Sequence, residues 1–572
     1  MLRLAAIVTL SIGLVVAAGH ASQQSALATL KTTAEASEFK STSTYEDVVR
    51  FVKAVDAASP LVHYTTYGKT FEGREMPLVV VGTGLRDASP AAVRATNRLR
   101  VHIQGNIHAG EVEGKESAQI FLRELALGEH ADWLKTMVFL ITPIYNADGN
   151  ERMSPTTRGA QHGPINGMGT RAQAQNINLN RDYMKLDTPE ANASAKFWVD
   201  YDPHVGYDLH TSNGSCHAYY LTYSPPLNPN TNSGIMNIMK NEWFPFATKS
   251  IKSKYGWDTF YYGNTQNREG ECPGGGGRGR GGAPGAAGAG AAATPTPTPT
   301  PTPQAPPGPP KPRSWGTFEH VPRFHNNYVG LRNRFALLSE AYSYATFEDR
   351  IKVTNYFIEE TLAWAHQNVE KIKKAVADAD REALPKKTLG TRSAIKSGGM
   401  IEILMGAVEQ ETNPVSGRSM NKRRNVVNPE MMIDRLWFEP TKTEDVPTEY
   451  YIPAAAEKAL ANLRAHGIQL RRLTAPVKGV EVFTITSNTQ RPANPNSIDT
   501  GSHALRTLDG AWAADPAAEV PAGSFAVAMN QPLARLAFYL IAPTSDDGLV
   551  NWNFLDDMLG EGVKTYPIYR KK

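Results

Sequence analysis

Residues 101–127 read VHIQGNIHAGEVEGKESAQIFLRELAL, and their reading decides the fold. Val101 to Ile107 forms a short apolar run that reads as a buried strand ending at His108. From Val112 to Leu127 the period changes. Ala118, Ile120, Phe121, Leu125 and Leu127 recur at helical spacing. A strand therefore turns into a helix, and His108 and Glu111 sit in the turn. Working outward, Met137–Thr142, Gly206–Leu209 and Phe335–Ser339 are also apolar runs without alternation. Such strands belong inside a sheet buried on both sides. Upstream, Thr70-Phe71-Glu72-Gly73-Arg74 reads as a turn before a strand over Met76–Val81. Downstream, Ile351, Ile358, Leu362, Ala365, Val369, Ile372 and Val376 predict one long amphipathic helix over residues 347–377. The expected class is α/β, a mixed, mostly parallel twisted sheet with helices on both faces. Ligands in such folds collect beyond the carboxyl ends of the strands. His108, His210 and Glu340 all fall there.

Length and composition frame this core. A chain of 572 residues exceeds what one core usually holds, so two or three domains are expected. A net charge of +4 and the absence of a dense basic face argue against nucleic acid as a partner. Met1-Leu2-Arg3, the apolar run Leu4–Ala18 and the small-x-small site Gly19-His20-Ala21 read as a signal peptide over residues 1–21. A linker follows over 22–44. No later stretch stays apolar for the ~20 residues a spanning helix needs, so stable membrane insertion is not expected. The mature protein is expected to be secreted or periplasmic. The two cysteines, Cys216 and Cys272, leave a single disulfide or a thiolate ligand as open alternatives.

Residues 273–313 interrupt the catalytic region with a Gly-Arg stretch, a Thr-Pro repeat over 294–303 and a Pro-rich end. This composition cannot build a core and reads as a tolerated loop expansion. The region 386–572 reads as a smaller, strand-rich accessory domain. It contains a helix over 454–464 and strands over 477–486 and 524–528. Asp546 and Asp547 fit turn chemistry better than a calcium loop.

His108-x-x-Glu111 with His210, which closes Asp208-Leu209-His210, supplies the two His and one Glu of a catalytic zinc site. Together with Asn146-x-Asp148-Gly149, Asn180-Arg181 and Glu340, in that order, these motifs resemble the zinc metallocarboxypeptidase family, the carboxypeptidase A-like enzymes. The resemblance covers residues 45–367 within a catalytic region over 45–380. It is nearest to the bacterial exported type with a C-terminal extension. It implies one zinc ion per chain on His108, Glu111 and His210, with Glu340 as general base. Asn180 and Arg181 would grip a substrate carboxylate, since the guanidinium fork donates two parallel hydrogen bonds. The family also places an oxyanion-binding arginine between the Asn-x-Asp-Gly turn and the Asn-Arg pair. Arg152, Arg158 and Arg171 are the candidates, and Arg158 fits the spacing best. For the tyrosine that caps the substrate, Tyr328 leads and Tyr261 and Tyr262 compete. His102, His204 and His217 read as core or surface histidines, and Glu113 and Glu116 as helix-face carboxylates. His325 and Arg323 lie in the region that often shapes specificity.

The sequence also departs from the family. Ala109-Gly110 stands where many members carry an arginine. Asn178 stands where an Asp usually supports the first zinc histidine, and Asn adds no charge. The expected activity is removal of C-terminal residues from peptides or proteins. The alternatives are a zinc amidohydrolase or endopeptidase on cell-wall or gamma-glutamyl peptides, and a non-catalytic envelope-binding protein on the same fold.

Overall fold

The computed structural model describes residues 25–266 and 312–572. The expected signal segment and nearly all of the 273–313 insertion, with Cys272, lie outside them. An eight-stranded sheet forms the centre: β1 (Val62–Lys69), β2 (Glu75–Val81), β3 (Leu99–Gly105), β4 (Met137–Thr142), β5 (Val205–Ser212), β6 (Leu221–Ser224), β7 (Thr259–Tyr261) and β9 (Phe335–Tyr342). Its order is β1-β2-β4-β3-β5-β9-β6-β7. The central run β4-β3-β5-β9 is parallel, while β1, β2 and the β9–β6 junction pair antiparallel. The sheet is thus mixed with a parallel centre, as the unalternating strands imply.

Alternation along a strand sorts side chains to the two faces. Val79, Val81, Val101, Ile103, Phe139 and Ile141 join one cluster with Val48, Phe51, Phe121, Leu125, Phe357 and Ile358. Those partners come from helices Tyr45–Ala58, Glu113–Leu127 and Phe347–Gln367. Leu78, Val80, Val138 and Leu140 join the opposite cluster. There they meet Phe197 and Trp198 of helix Pro189–Asp200, and Leu536, Phe538 and Leu540 of helix Ala534–Ile541. The C-terminal region therefore shares one core with the sheet. All eight residues of helix Ala534–Ile541 are buried.

Two local readings change. The long helix expected over 347–377 is two helices, Phe347–Gln367 and Val369–Arg381, broken at Asn368. Asn368 leaves helical geometry at φ −124° and ψ 24° and donates Nδ2 to the Trp364 carbonyl. The expected linker 22–44 is, over its described residues, docked rather than loose. Leu27 and Ala34 are buried, and Arg123 forks onto Glu35 with two bonds of 2.7 Å. Glu113 and Glu116 stand in the first turn of their helix, outside the ligand group as expected, and are buried. Glu113 faces Arg350 and Thr211, and Glu116 accepts from Thr42 and Ser43.

Beyond residue 386 strands dominate. β10 (Thr388–Lys396) pairs with β13 (Trp437–Asp445). β11 (Met400–Thr412) pairs with β12 (Ser419–Arg435), and β12 with the short β8 (Ser314–Gly316). A six-stranded sheet completes the region. The β11–β12 hairpin is stitched to the catalytic loops: Gly406 N donates to Cys216 O, Ala218 N to Leu404 O, and Asn421 N to Ala160 O. Cys216 is disulfide-bonded, which removes it as a thiolate ligand.

A shared core makes the parts interdependent. Leu536→Ala is expected to cost about 2–5 kcal/mol. A chain ending at Leu384 is expected to lose its cooperative thermal transition. Circular dichroism checks both, and a truncated chain that melts like the full one would refute the shared core.

Candidate metal centre

The turn after β3 is shaped by its own side chains. Asn106 takes a left-handed φ of +65°, and its Nδ2 reaches the carbonyls of Ala109 and Glu111. Glu111 N donates to His108 O at 2.8 Å, which closes the turn. The following helix starts hard against β5. A Cβ at Gly114 would lie 2.5 Å from the Leu209 Cβ, so only glycine allows this approach. That contact brings His210 of β5 beside the turn.

His108, Glu111 and His210 are all buried, and one potential ligand atom from each lies within 4.8 Å of the others. His108 Nδ1 is 3.1 Å from Glu111 Oε1, and His210 Nδ1 is 2.8 Å from Glu111 Oε2. The outer nitrogens are occupied. His108 Nε2 meets Asn178 Oδ1 at 2.9 Å, and His210 Nε2 meets Asp208 Oδ2 at 2.8 Å. Both acceptors call for a proton on Nε2, so each Nδ1 presents a lone pair. Two lone pairs and a carboxylate converging in a dry site repel one another unless a cation joins them. The donor set fits zinc in kind and number, with coordination left for water or substrate. Asp208 and Asn178 hold the two imidazoles as outer partners.

The two histidines differ in their electrostatic surroundings. Burial and nearby Arg171 push His108 down to about 4. Burial also opposes charge on His210, but the Asp208 and Glu111 carboxylates outweigh it and hold its pKa well above normal. Glu111 stays well below the usual carboxylate range because His108, Arg158 and His210 outweigh its burial. Glu340 lies opposite His210 in the β5–β9 register. Burial pushes it up to about 8, with Glu111 adding to the rise and His210 opposing it.

Two arginines reach Glu111, and their bonding separates them. Arg158, at φ +49°, commits its whole fork: Nε to Gln161, Nη1 to Glu111 and Nη2 to Asn213. Arg171 places Nη1 at 3.2 Å from His108 Nδ1 and 3.4 Å from Glu111 Oε1. Its remaining donors have no protein partner among the described residues. Asn146, capping its own turn, donates Nδ2 to the Arg171 carbonyl and so fixes that loop. Arg152 lies at the surface on Glu72.

Asn180 and Arg181 divide. Asn180 is turned inward, accepting from His325 N at 2.9 Å, with Nδ2 at 3.3 Å from His210 Nε2. It packs against the histidine. Arg181 lies flat on Phe324, its guanidinium carbon 3.6 Å from the ring centroid, and donates Nη1 to the Asn180 carbonyl. Burial lowers its pKa to about 10, and Asp499 opposes that shift.

The expectation for Tyr328 is corrected. It is fully buried, and its hydroxyl is taken by His466 and Arg332. It is a core residue with no face toward substrate. Tyr262 is the tyrosine that senses the site. Burial raises its phenol, and the Glu340 and Glu111 carboxylates add to the rise. Tyr261 packs on Tyr223, Phe244 and Trp437. His102, His204 and His217 are buried away from the ligand cluster, as expected. Arg323 is neutralised by Asp547 at 2.9 Å.

Two supporting acids carry no role in the sequence reading. Asp208 had a signal, because residues i and i+2 of a strand share a face with one another. Asp499 had none. It accepts from Asn178 Nδ2 at 2.8 Å across 321 residues of sequence.

A buried His2Glu cluster on the carboxyl edge of an α/β sheet, with a carboxylate and two guanidinium groups beside it, has the donor set of a hydrolytic zinc site. Residues 48–299 match the family profile described as zinc carboxypeptidase. Carboxypeptidase 2 of Trichophyton rubrum is 24% identical over 230 residues, 38% of this chain and 39% of that protein. Carboxypeptidase 2 of Trichophyton equinum is 22% identical over 524 residues, 88% of this chain and 82% of that one. The chain thus spans about two-fifths of the first relative and about four-fifths of the second. Among solved structures, a metallo-carboxypeptidase from Burkholderia cenocepacia aligns over 57% of this chain and 70% of its own, at 16% identity and TM-score 0.38. Carboxypeptidase A from Helicoverpa armigera aligns over 60% and 76%, at 15% identity and TM-score 0.37.

Zinc at about 100 times its dissociation constant should add about 2.7 kcal/mol of stability, lost on chelation. Asp208→Asn should weaken zinc binding about 10–100-fold while leaving the fold intact. Chelator competition and thermal melts read both effects. Unchanged affinity in Asp208→Asn would remove that carboxylate from the site.

Proposed function

We propose that this protein is an exported metallocarboxypeptidase that removes single residues from peptide or protein C-termini. The observation that carries the reading is Arg181, which lies flat on Phe324 beside His210's neighbour Asn180, with an Nη2 that has no partner among the described residues. Its planar fork suits a terminal carboxylate. The export reading rests on the N-terminal segment. No described helix is long and apolar enough to cross a membrane.

When bound by His108, Glu111 and His210, zinc supplies a Lewis acid that polarises the scissile carbonyl and acidifies water. Glu340 takes the proton of the attacking water and returns it to the leaving amine. Its half-buried position near the β9 end keeps its basicity high. Arg171, rather than Arg158, donates to the oxygen on which negative charge develops. Arg158 keeps Glu111 and the Asn213 loop in place. Tyr262 closes over the substrate. Arg181 holds the carboxylate and so sets which bond is reached. Asn180 serves this grip indirectly, through its contacts to His210 and Arg181.

Glu340→Gln should retain zinc and lower kcat by at least about 100-fold. Arg171→Ala should lower kcat about 100–1,000-fold, whereas Arg158→Ala should act mainly through weakened zinc binding. Digestion of a mixed-peptide library, read by mass spectrometry with a chelator control, should show loss of single C-terminal residues. Internal cleavage would remove the role given to Arg181. No cleavage of ordinary peptides alongside hydrolysis of gamma-glutamyl or cell-wall peptides would move the substrate to those amides.

A further inference from the structure

The two ligand histidines are backed differently. His210 Nε2 meets a carboxylate, Asp208, directly. His108 Nε2 meets the neutral amide of Asn178 at 2.9 Å. That amide is not isolated. Its Oδ1 also accepts Asn180 N at 3.1 Å, and its Nδ2 donates to Asp499 Oδ1 at 2.8 Å. We infer that Asp499, supplied by the C-terminal region, is a positioning residue for the zinc site, acting on His108 through an Asn178 amide relay.

Three observations carry this. First, the relay has a direction. His108 Nε2–H donates to the amide oxygen, and the amide N–H donates to the carboxylate. A carboxylate on the N–H side draws electron density toward Oδ1 and strengthens its acceptance. The basicity that His210 receives from Asp208 thus reaches His108 one residue further out. Second, the loop carrying Asp499 is built into the site. Ile498 O accepts Asn178 N at 2.8 Å, Gly501 N donates to Ser497 O, and His503 Nε2 meets Asp187 Oδ2 at 3.0 Å. Asp499 therefore has a fixed place against residues 178–187. Third, Asp499 stays ionised. Burial would raise its pKa, but Arg181, 3.9 Å away, and the Asn178 hydrogen bond outweigh it. One acid beyond residue 386 thus touches both the support of a metal ligand and the arginine proposed to hold substrate.

The inference rests on reading His108, Glu111 and His210 as a zinc site. Its test uses the full chain and reads zinc affinity by chelator competition, without substrate. Asp499→Asn should weaken zinc binding at least about 10-fold, the range seen for lost outer partners. The double variant Asn178→Asp/Asp499→Asn exchanges the ends of the relay. A carboxylate then meets His108, and an amide donates to that carboxylate. Its affinity should return to within about threefold of the parent. A merely structural loop role would not be rescued by this exchange. Unchanged affinity in Asp499→Asn would overturn the relay, and so would a double variant as weak as the single. If Asp499→Asn fails to fold, the double variant decides alone: parental affinity supports the relay and lost affinity overturns it. A parent chain that binds zinc but cleaves no C-terminal residue would overturn only the substrate reading. A parent that binds no zinc would overturn the metal reading and the relay with it.

Discussion

The carboxylate of Glu111 lies out of water, and the surrounding architecture answers to that charge. A bare carboxylate in such a place costs several kcal/mol unless positive or donating groups meet it. Here Arg158 and Arg171 meet it with guanidinium groups, and a cation shared with the Nδ1 lone pairs of His108 and His210 would complete its partners. Thr211 N adds a backbone donor from the end of β5. Apart from His210 and Thr211, which share the end of β5, these partners come from different loops. Satisfying one oxygen pair therefore fixes the turn after β3, the end of β5 and the two arginine loops relative to each other. The next ring of acids, Asp208 and Asp499, faces the histidines and Arg181 from outside, so charges alternate outward from the centre.

This alternation explains how much of the fold is shared between regions that composition separates. The central sheet has two apolar faces. The N-terminal helices and Phe347–Gln367 cover one. The other is left to helix Pro189–Asp200 and to residues past 386, above all helix Ala534–Ile541. The strand-rich region is thus a wall of the catalytic core, and its β11–β12 hairpin grips the loops that carry Cys216 and Ala160.

The parts written in contiguous sequence were legible, and the parts assembled from distance were not. The strand–turn–helix at 101–127 shows a change of period at the point where the ligands lie, so His108 and Glu111 could be placed. His210 and Glu340 followed because apolar strands end at them. Spacing favoured Arg158 over Arg171, since it does not reveal which guanidinium is already spoken for by Gln161 and Asn213. Tyr328 was misplaced because the insertion after Cys272 breaks the count along the chain. Its neighbours His466 and Arg332 make it a core residue. The break at Asn368 is a single-residue event inside an unbroken apolar period. Helix Ala534–Ile541 is eight residues of nearly uniform apolarity, too short to reveal a face.

The bond between Asn178 and Asp499 also fixes an order of events in time. Contacts across hundreds of residues form late, because closing so long a loop must precede any gain from the contact. The β3 turn and its helix are local and can form early. The second wall of the sheet arrives only with residues 534–541, near the end of the chain. Until then the imidazole of His108 has its amide neighbour but not the acid behind it. If His108, Glu111 and His210 hold zinc, tight binding belongs to the finished molecule, and a nascent or half-folded chain would hold the metal loosely. Metal retention would then be a signal of completed folding.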